Sequence, residues 1–200
     1  MNKEFLYTLL DGMSVSGHEI GLQKKVIEEM KPWAHEIRTD YTGNVISVLN
    51  PEAPFKVMLA AHIDEIGLIV THIQENGLVR VARAGGIRPL VYPGHQVLIH
   101  GAYGKVYGVV IHSEDMQKKD LKAEDLIIDI GAKDAEGVAR LGIQVADPIA
   151  WYTPYEEFGE SRAMGHGFDD RAGCAVLAKC LEDIDFESVH GTVYFVFSVQ

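Results

Sequence analysis

The sequence predicts an α/β domain interrupted by a β-rich insertion, and three observations support this fold class. Apolar residues recur at helical spacing near both ends of the chain. Two unbroken apolar runs suit strands that helices cover on both faces, whereas the middle of the chain contains short strands separated by turns. The predicted boundaries are 1–66 for the first part of the α/β domain, 67–162 for the insertion and 163–200 for the continued α/β domain.

Two helices are predicted at the N-terminus. Apolar residues at positions 5, 6, 9 and 10 indicate the first helix, which Gly12 ends. Ser16–Glu19 has the form of a capping box, and it precedes apolar residues at positions 22, 26, 27 and 30. The second helix therefore runs to about Lys31, and Pro32 stops it.

Four strands and one helix complete the predicted α/β domain. The strands cover 36–40, 45–49, 56–61 and 193–199, and the helix covers 171–184. The first two strands form a hairpin around a turn at Thr42–Asn44. The last two strands are apolar without alternation, which predicts central strands buried on both faces.

The middle of the chain has the pattern of a small β-barrel or sandwich. Strands are predicted over 68–73, 78–82, 96–100, 105–111 and 126–130. Asn76–Gly77 is a hairpin signal between the first two, and one short helix is expected over 132–141.

The composition excludes several functional classes. The chain has 200 residues and a formal net charge of −11, which argues against a general partner of nucleic acids or anionic membranes. Its apolar runs are far shorter than the ~18 residues that span a bilayer, and the N-terminus lacks a signal-peptide layout. Cys174 and Cys180 form no C-x-x-C motif, so a reduced, cytoplasmic setting is expected.

The first candidate functional cluster, His62-Ile63-Asp64, directly follows an apolar strand. Positions i and i+2 of an extended segment point the same way, and metal-bound histidines usually donate their second ring N–H to a carboxylate. His62 as a metal ligand and Asp64 as its orienting group fit that arrangement. The alternative is a histidine that ends a strand beside a solvated carboxylate.

The second cluster is Asp169-Asp170-Arg171, just before a predicted helix. Two carboxylates at this position are favourable as helix caps. The functional alternative is that one carboxylate leaves the cap and binds a divalent ion, with Arg171 balancing the negative charge.

Both clusters flank the α/β portion of the chain. Histidine with carboxylates suits zinc, cobalt or manganese. The residues alone assign no third ligand: His18, His166 and His190 are candidates by type only, and structural or surface roles are favoured for each.

At these residues the sequence resembles the M42 family of metallo-aminopeptidases, which includes glutamyl and deblocking aminopeptidases. The Ala-His-x-Asp-Glu-Ile-Gly segment at 61–67 and the Asp-Asp-Arg segment are specific, and other segments support them in the family's order. These supporting segments are 14–19, Asp40 with Gly43–Asn44, and 129–132.

The resemblance implies a zinc-aminopeptidase-like α/β sandwich and a two-metal exopeptidase that removes N-terminal residues from peptides. His62 would bind one metal, Asp64 would orient it as a catalytic residue, and Asp169 would bridge two zinc or cobalt ions, with manganese also fitting. The Asp169–Asp170 peptide would be cis. The β-rich insertion would be the dimerisation domain, in a homodimer or a larger homo-oligomer such as a dodecamer.

The resemblance also implies that a catalytic Glu-Glu pair follows directly after Gln200. On this expectation the 200 residues are the N-terminal portion of a longer enzyme, or a truncated product, and have little or no peptidase activity alone. Two alternatives stay open. One is a catalytically incomplete assembly module, and the other is a glycoside hydrolase (glucanase) that uses Asp64 or Glu65 with Asp169 or Asp170 as acid and base.

Overall fold

Helices and strands follow one another in the predicted order, and the computed structural model describes them over residues 3–111 and 120–199. Helices α1 to α4 are Lys3–Asp11, Ile20–Met30, Ala135–Arg140 and Phe168–Asp183. Strands β1 to β12 are Glu36–Thr39, Val45–Leu49, Lys56–His62, Gly67–Ile73, Val79–Ala84, Gln96–Gly101, Gly104–Ile111, Ile127–Asp129, Pro148–Trp151, Glu156–Phe158, Arg162–Met164 and Thr192–Ser198.

The chain divides into two compact units. The first, called the α/β unit here, contains the residues up to Glu65 and those from Pro154 onward, and the barrel unit is Ile66–Thr153. The sequence placed the end of the insertion at residue 162, whereas the barrel unit of the structure ends at Thr153. Segment 154–164 joins the α/β unit because the Tyr155 ring packs 4.7 Å from that of Tyr7 and Lys3 Nζ donates to Glu157 Oε1 at 3.1 Å.

The N-terminal helices form where the apolar periodicity predicts them. α1 buries the four apolar side chains that define its pattern, namely Phe5, Leu6, Leu9 and Leu10. The capping box predicted for α2 is wrong. Glu19 occupies the N-cap position without a side-chain cap bond, and its Oε1 accepts the Gly17 N–H at 2.7 Å. The Ser16 hydroxyl donates to Asp64 Oδ2 at 3.0 Å instead, so a distant carboxylate takes the group that would have capped the helix.

The sheet of the α/β unit has the strand order β1-β2-β12-β3. The predicted hairpin is confirmed by antiparallel pairing of β1 with β2. β12 lies between β2 and β3, antiparallel to the first and parallel to the second, and buries Phe195 and Phe197 completely. The apolar run 193–199 is therefore a central strand, as predicted.

The prediction for β3 is only partly correct. The strand forms, but in the described sheet it is an edge strand, and Met58 is 68% exposed. An apolar run reports the chemistry of the side chains and not whether both neighbouring positions in the sheet are filled.

α4 packs as predicted, with Cys174, Leu177 and Leu181 buried in the same cluster as β12.

The barrel unit is a closed barrel with the strand order β4-β5-β8-β7-β6-β9, which confirms the barrel alternative. The Asn76–Gly77 hairpin is confirmed, because β4 pairs antiparallel with β5 and Gly77 has φ +81. α3 lies inside its predicted range, and Asp134 caps it by accepting the Gly137 N–H at 2.7 Å. The sequence analysis missed β9, β10 and β11, because strands of three or four residues are too short to show a repeating pattern.

Candidate active site

The three residues singled out from the sequence lie together in the α/β unit. β3 ends at His62, whose Nδ1 lies 3.1 Å from the Asp64 carbonyl oxygen and 3.2 Å from Asp64 Oδ1. The other ring nitrogen, Nε2, lies 3.2 Å from Asp169 Oδ1. The fold therefore joins two segments that are 107 residues apart in the chain.

The His62 ring lies between two carboxylates and is partly open to solvent. The Asp169 side chain is 97% exposed and that of Asp64 is 17% exposed. Burial alone would lower the pKa of His62, but contacts with Asp64 and Asp169 outweigh it and raise the pKa above its ordinary value. Because a protonated histidine ring must lose a proton before it binds a metal, metal binding at His62 Nε2 would depend on pH.

The start of α4 gives the two adjacent carboxylates different positions. Asp170 Oδ1 accepts the Gly173 N–H at 3.1 Å, which is a helix-capping contact. Asp169 faces His62, and the peptide bond between the two aspartates is cis, as the resemblance implied. The capping interpretation therefore applies to Asp170 and leaves Asp169 beside the imidazole.

A buried ion pair lies next to this site. Arg171 is fully buried, and its Nη2 donates to Glu65 Oε1 at 2.6 Å and to Ser14 Oγ at 2.7 Å. His166 Nδ1 lies 2.8 Å from the second Glu65 oxygen. The expectation that Arg171 balances the Asp169–Asp170 pair is therefore wrong, since its partner is Glu65.

The surroundings of Glu65 keep it ionised. Burial alone would raise the pKa of this carboxyl, but the hydrogen bond from His166 and the positive charge of Arg171 outweigh burial and lower the pKa. A general acid needs a raised pKa, so Glu65 is unsuited to the acid role in the glycoside hydrolase alternative.

The donor types at the site fit a divalent metal, although their number is small. His62 Nε2 and an Asp169 oxygen are an imidazole and a carboxylate, the ligands that zinc and cobalt accept. Over residues 3–111 and 120–199, no cluster of three or more His, Cys, Asp or Glu side chains is arranged to hold a metal ion. The described residues thus offer two of the four ligands usual for zinc.

Sequence reasoning missed the polar residues that surround the site. Ser14, Ser16 and the Glu65–Arg171 pair all contact it or its neighbours, but their partners are 48 to 157 residues away in the chain. The usable signal was that Ser14, Ser16, Glu65 and Arg171 all fall inside segments that carry the family resemblance. His166, which the sequence offered as a third ligand by type only, contacts the buried Glu65 carboxylate at 2.8 Å.

Fold and site together define an α/β protein with an inserted barrel and an imidazole–carboxylate pair at the end of a strand. A family model described as M42 glutamyl aminopeptidase matches residues 43–200. The putative aminopeptidase SgcX of Escherichia coli (strain K12) is 33% identical over 206 residues, which cover 99% of this chain and 55% of the relative. The chain belongs to the M42 aminopeptidase family, whose members are metal-dependent.

Solved structures agree with this assignment. The TET aminopeptidase from the archaeon Thaumarchaeota archaeon SCGC AB-539-E09 matches with a TM-score of 0.90 and 31% identity, covering 99% of this chain and 58% of that one. The PhTET1-12s structure, a dodecamer in its asymmetric unit, matches with a TM-score of 0.87 and 28% identity, covering 100% and 60%. The chain spans little more than half the length of the relatives it matches.

The comparisons also bear on the glycoside hydrolase alternative. One solved structure, described as an endoglucanase from Thermotoga maritima, matches with a TM-score of 0.84 and 31% identity, covering 98% of this chain and 58% of that one. The matching family model and the curated relatives are aminopeptidases, so a glucanase is not supported.

None of the described helices is long and apolar enough to cross a membrane.

Proposed function

We propose that the chain contributes one half of the active site of a two-metal aminopeptidase that removes N-terminal residues from peptides. The observation that carries the proposal is the contact of His62 Nε2 with Asp169 Oδ1 at 3.2 Å, with Nδ1 held by Asp64. His62 would bind one metal and Asp169 would bridge two. Zinc, cobalt or manganese would polarise the scissile carbonyl and lower the pKa of a bound water.

The chain's own residues prepare this chemistry. Asp64 faces Nδ1, so it favours the tautomer in which Nδ1 carries the proton and Nε2 is available as a metal ligand. This is the role of an orienting group in a metal site, and it is the basis for naming Asp64 as the catalytic residue of this half. Asp170 contributes by capping α4, which holds the adjacent Asp169 in place.

We further propose that the 200 residues alone have little or no peptidase activity. Two donors among the described residues are too few for a two-metal site, and the general base is expected in the Glu-Glu pair after Gln200. The natural gene product, purified from its source, should therefore have a mass above 22.1 kDa and release N-terminal residues from peptides in a chelator-sensitive manner.

Two results would contradict this proposal. Chelator-sensitive turnover by a verified 200-residue chain would show that no further residues are needed. A natural product of 22.1 kDa without activity would favour the incomplete assembly module instead.

Homo-oligomerisation through the barrel unit is the second part of the proposal. Tyr107, Val109 and Tyr152 are exposed on the barrel unit, and with Ile111 and Ile130 they line an open cavity of about 600 Å³. An apolar patch of this kind marks an interaction surface, and the related PhTET1-12s structure is a dodecamer. The partner proposed is a second copy of the chain, in a dimer or a larger assembly.

Light scattering of the purified chain tests the oligomer. Tyr107→Glu should lower the mass toward that of a monomer, whereas Tyr103→Glu, at a tyrosine 81% exposed and outside this cavity, should leave it unchanged. A monomeric unsubstituted chain at tens of micromolar would contradict this part alone.

We also propose a cytoplasmic location, supported by two unpaired cysteines, and no nucleic-acid or membrane partner, supported by the net charge of −11.

A further inference from the structure

The segment Ser14–Ser16 lies alongside the end of β3. Val15 forms a parallel bridge with Glu65. The Ser16 N–H donates to the Glu65 carbonyl at 3.3 Å, and the Glu65 N–H donates to the Ser14 carbonyl at 2.9 Å. These backbone bonds fix the segment beside residues 63–65, so the hydroxyls of both serines have defined partners.

The two serines have different partners. Ser14 is fully buried, and its hydroxyl bonds to the Ile63 carbonyl and accepts from Arg171 Nη2. Ser16 is half-buried, and its hydroxyl donates to Asp64 Oδ2 at 3.0 Å. Ser14 thus belongs to the buried ion-pair network, whereas Ser16 touches a residue of the candidate active site.

We infer that Ser16 is a positioning residue of the proposed metal site, acting on His62 through Asp64. Its hydroxyl holds Asp64 Oδ2, so that Oδ1 stays 3.2 Å from His62 Nδ1. The terminal torsion of an aspartate is broad, and a carboxylate without this hydrogen bond can turn away from the ring. His62 Nδ1 would then keep only the Asp64 carbonyl oxygen, 3.1 Å away, as its acceptor and would lose the carboxylate that strengthens this contact.

This role rests on the metal site proposed for His62, but it is a property of the chain's own hydrogen bonds. The sequence of contacts is continuous, from Ser16 Oγ through the Asp64 carboxylate and the His62 ring to Asp169 Oδ1. Outer residues of this kind typically change metal affinity by about 10- to 100-fold when they are removed. Ser16 lies one residue further from the metal position, so the low end of that range is expected.

The experiment compares Ser16→Ala with Ser14→Ala, its matched control from the same segment. Histidine ring nitrogens are observed by long-range ¹H–¹⁵N NMR near pH 8 without metal, with His62 assigned by its loss in His62→Gln. Cobalt(II) is then titrated into each variant, and thermal melting is recorded. Ser16→Ala should change the His62 Nδ1 signal, because one of the two acceptors of this nitrogen is released, and should weaken cobalt binding about tenfold at nearly unchanged melting temperature.

Ser14→Ala should show the opposite pattern, a lower melting temperature with the His62 signals unchanged, because its hydroxyl serves Arg171. Ser16→Thr keeps the hydroxyl and should behave like the unsubstituted chain. Ser16→Cys, a weak donor of similar size, repeats the loss if the alanine variant fails to fold. Unchanged His62 signals in Ser16→Ala, or equal shifts in both alanine variants, would overturn the inference.

The two proposals fail in distinguishable ways. If the natural gene product, with any residues that follow Gln200, takes up no cobalt, the metal role of His62 loses its support, and the metal-free NMR spectra still decide the role of Ser16.

Discussion

The α/β unit and the barrel unit bury different kinds of side chain. Among the described residues, the buried polar and charged side chains of the α/β unit are Ser14, Glu19, Ser47, Glu65, Arg171 and Thr192. In the barrel unit the only one in this group is Asp147, which accepts the Gln144 N–H at 2.8 Å within a local turn. The barrel interior is otherwise built from aliphatic and aromatic side chains.

This difference follows from what each unit must hold in place. An apolar core stabilises a fold but tolerates small shifts, whereas paired and hydrogen-bonded groups set orientation. The buried ion pair of Glu65 and Arg171 follows His62 and Asp169 by two or three residues in the chain, where orientation matters for the proposed chemistry. The comparison predicts that substitutions in the two units will differ in kind as well as in size.

The largest effect is expected from Arg171→Met in the α/β unit. The substitution leaves Glu65 buried without its cation, which should cost about 3–5 kcal/mol of unfolding free energy. Urea unfolding reports this through Trp33, the tryptophan of the α/β unit, in a Trp151→Phe background. Adding Glu65→Leu should recover much of the loss, because no unpaired charge then remains. If Arg171→Met alone loses less than about 1 kcal/mol of unfolding free energy, the importance assigned to the buried ion pair is contradicted.

A slightly smaller effect is expected from Leu68→Ala in the barrel interior. Leu68 is completely buried, and its truncation should cost about 2–5 kcal/mol through lost burial and a cavity. Trp151 reports the transition of the barrel unit in a Trp33→Phe background. Leu90→Ala, at a leucine that is 76% exposed, is the control and should stay within about 0.5 kcal/mol. Equal losses of unfolding free energy in Leu68→Ala and Leu90→Ala would mean that the apolar interior does not dominate the stability of the barrel unit.

The pH dependence of stability should also separate the units. The pKa of Glu65 is lowered in the folded chain, so its contribution is fully present above the unfolded pKa of about 4.3. That contribution is lost as the pH falls below this value toward the folded pKa. A series of urea midpoints should therefore show the Trp33 transition weakening with acid, and Glu65→Gln should flatten this dependence. An unchanged slope in the variant would refute the assignment to Glu65.

The smallest effect is expected at the exposed turn after β1. The Asp40 carboxylate accepts hydrogen bonds from the side chains of Asn44 and Thr42, which lower its pKa to about 2. Asn44 Oδ1 in turn accepts the Val199 N–H at 2.9 Å, so the turn secures the end of β12. Asp40→Ala should lower the melting temperature slightly at pH 7, and the difference should vanish as the pH falls from about 4 to about 2. A difference that persists at pH 2 would contradict this reason.

Local patterns in the sequence predicted most elements of both units. Helical spacing of apolar residues located α1, α2 and α4, and Asn76–Gly77 located the first hairpin of the barrel. These patterns succeed because residues three or four apart on a helix, or two apart on a strand, share one face. The family resemblance implied that His62 and Asp169 serve one metal site, and the structure places His62 Nε2 3.2 Å from Asp169 Oδ1.

Most of the errors share one physical cause, which is that the partner of a group lies far away in sequence. Ser16 was predicted to cap a helix, but its hydroxyl donates to Asp64. Arg171 was predicted to balance the charge of its neighbours in sequence, but it pairs with Glu65. The apolar run of β3 reads as a central strand, although in the described sheet it pairs with β12 alone. The unit boundary likewise depends on Tyr155 meeting Tyr7.

By itself, the sequence determined the α/β class, the β-rich insertion and the two motif segments, and its resemblance to known proteins indicated the family. Short-range periodicity and turn chemistry specify the helices, strands and turns, because each depends on a few consecutive residues. Only the tertiary structure decided which oxygen each polar group meets, which strand is left at an edge and which aspartate caps the helix. The polar contacts depend on distances of about 3 Å between atoms that can be far apart in the chain, such as His62 Nε2 and Asp169 Oδ1, which are 107 residues apart.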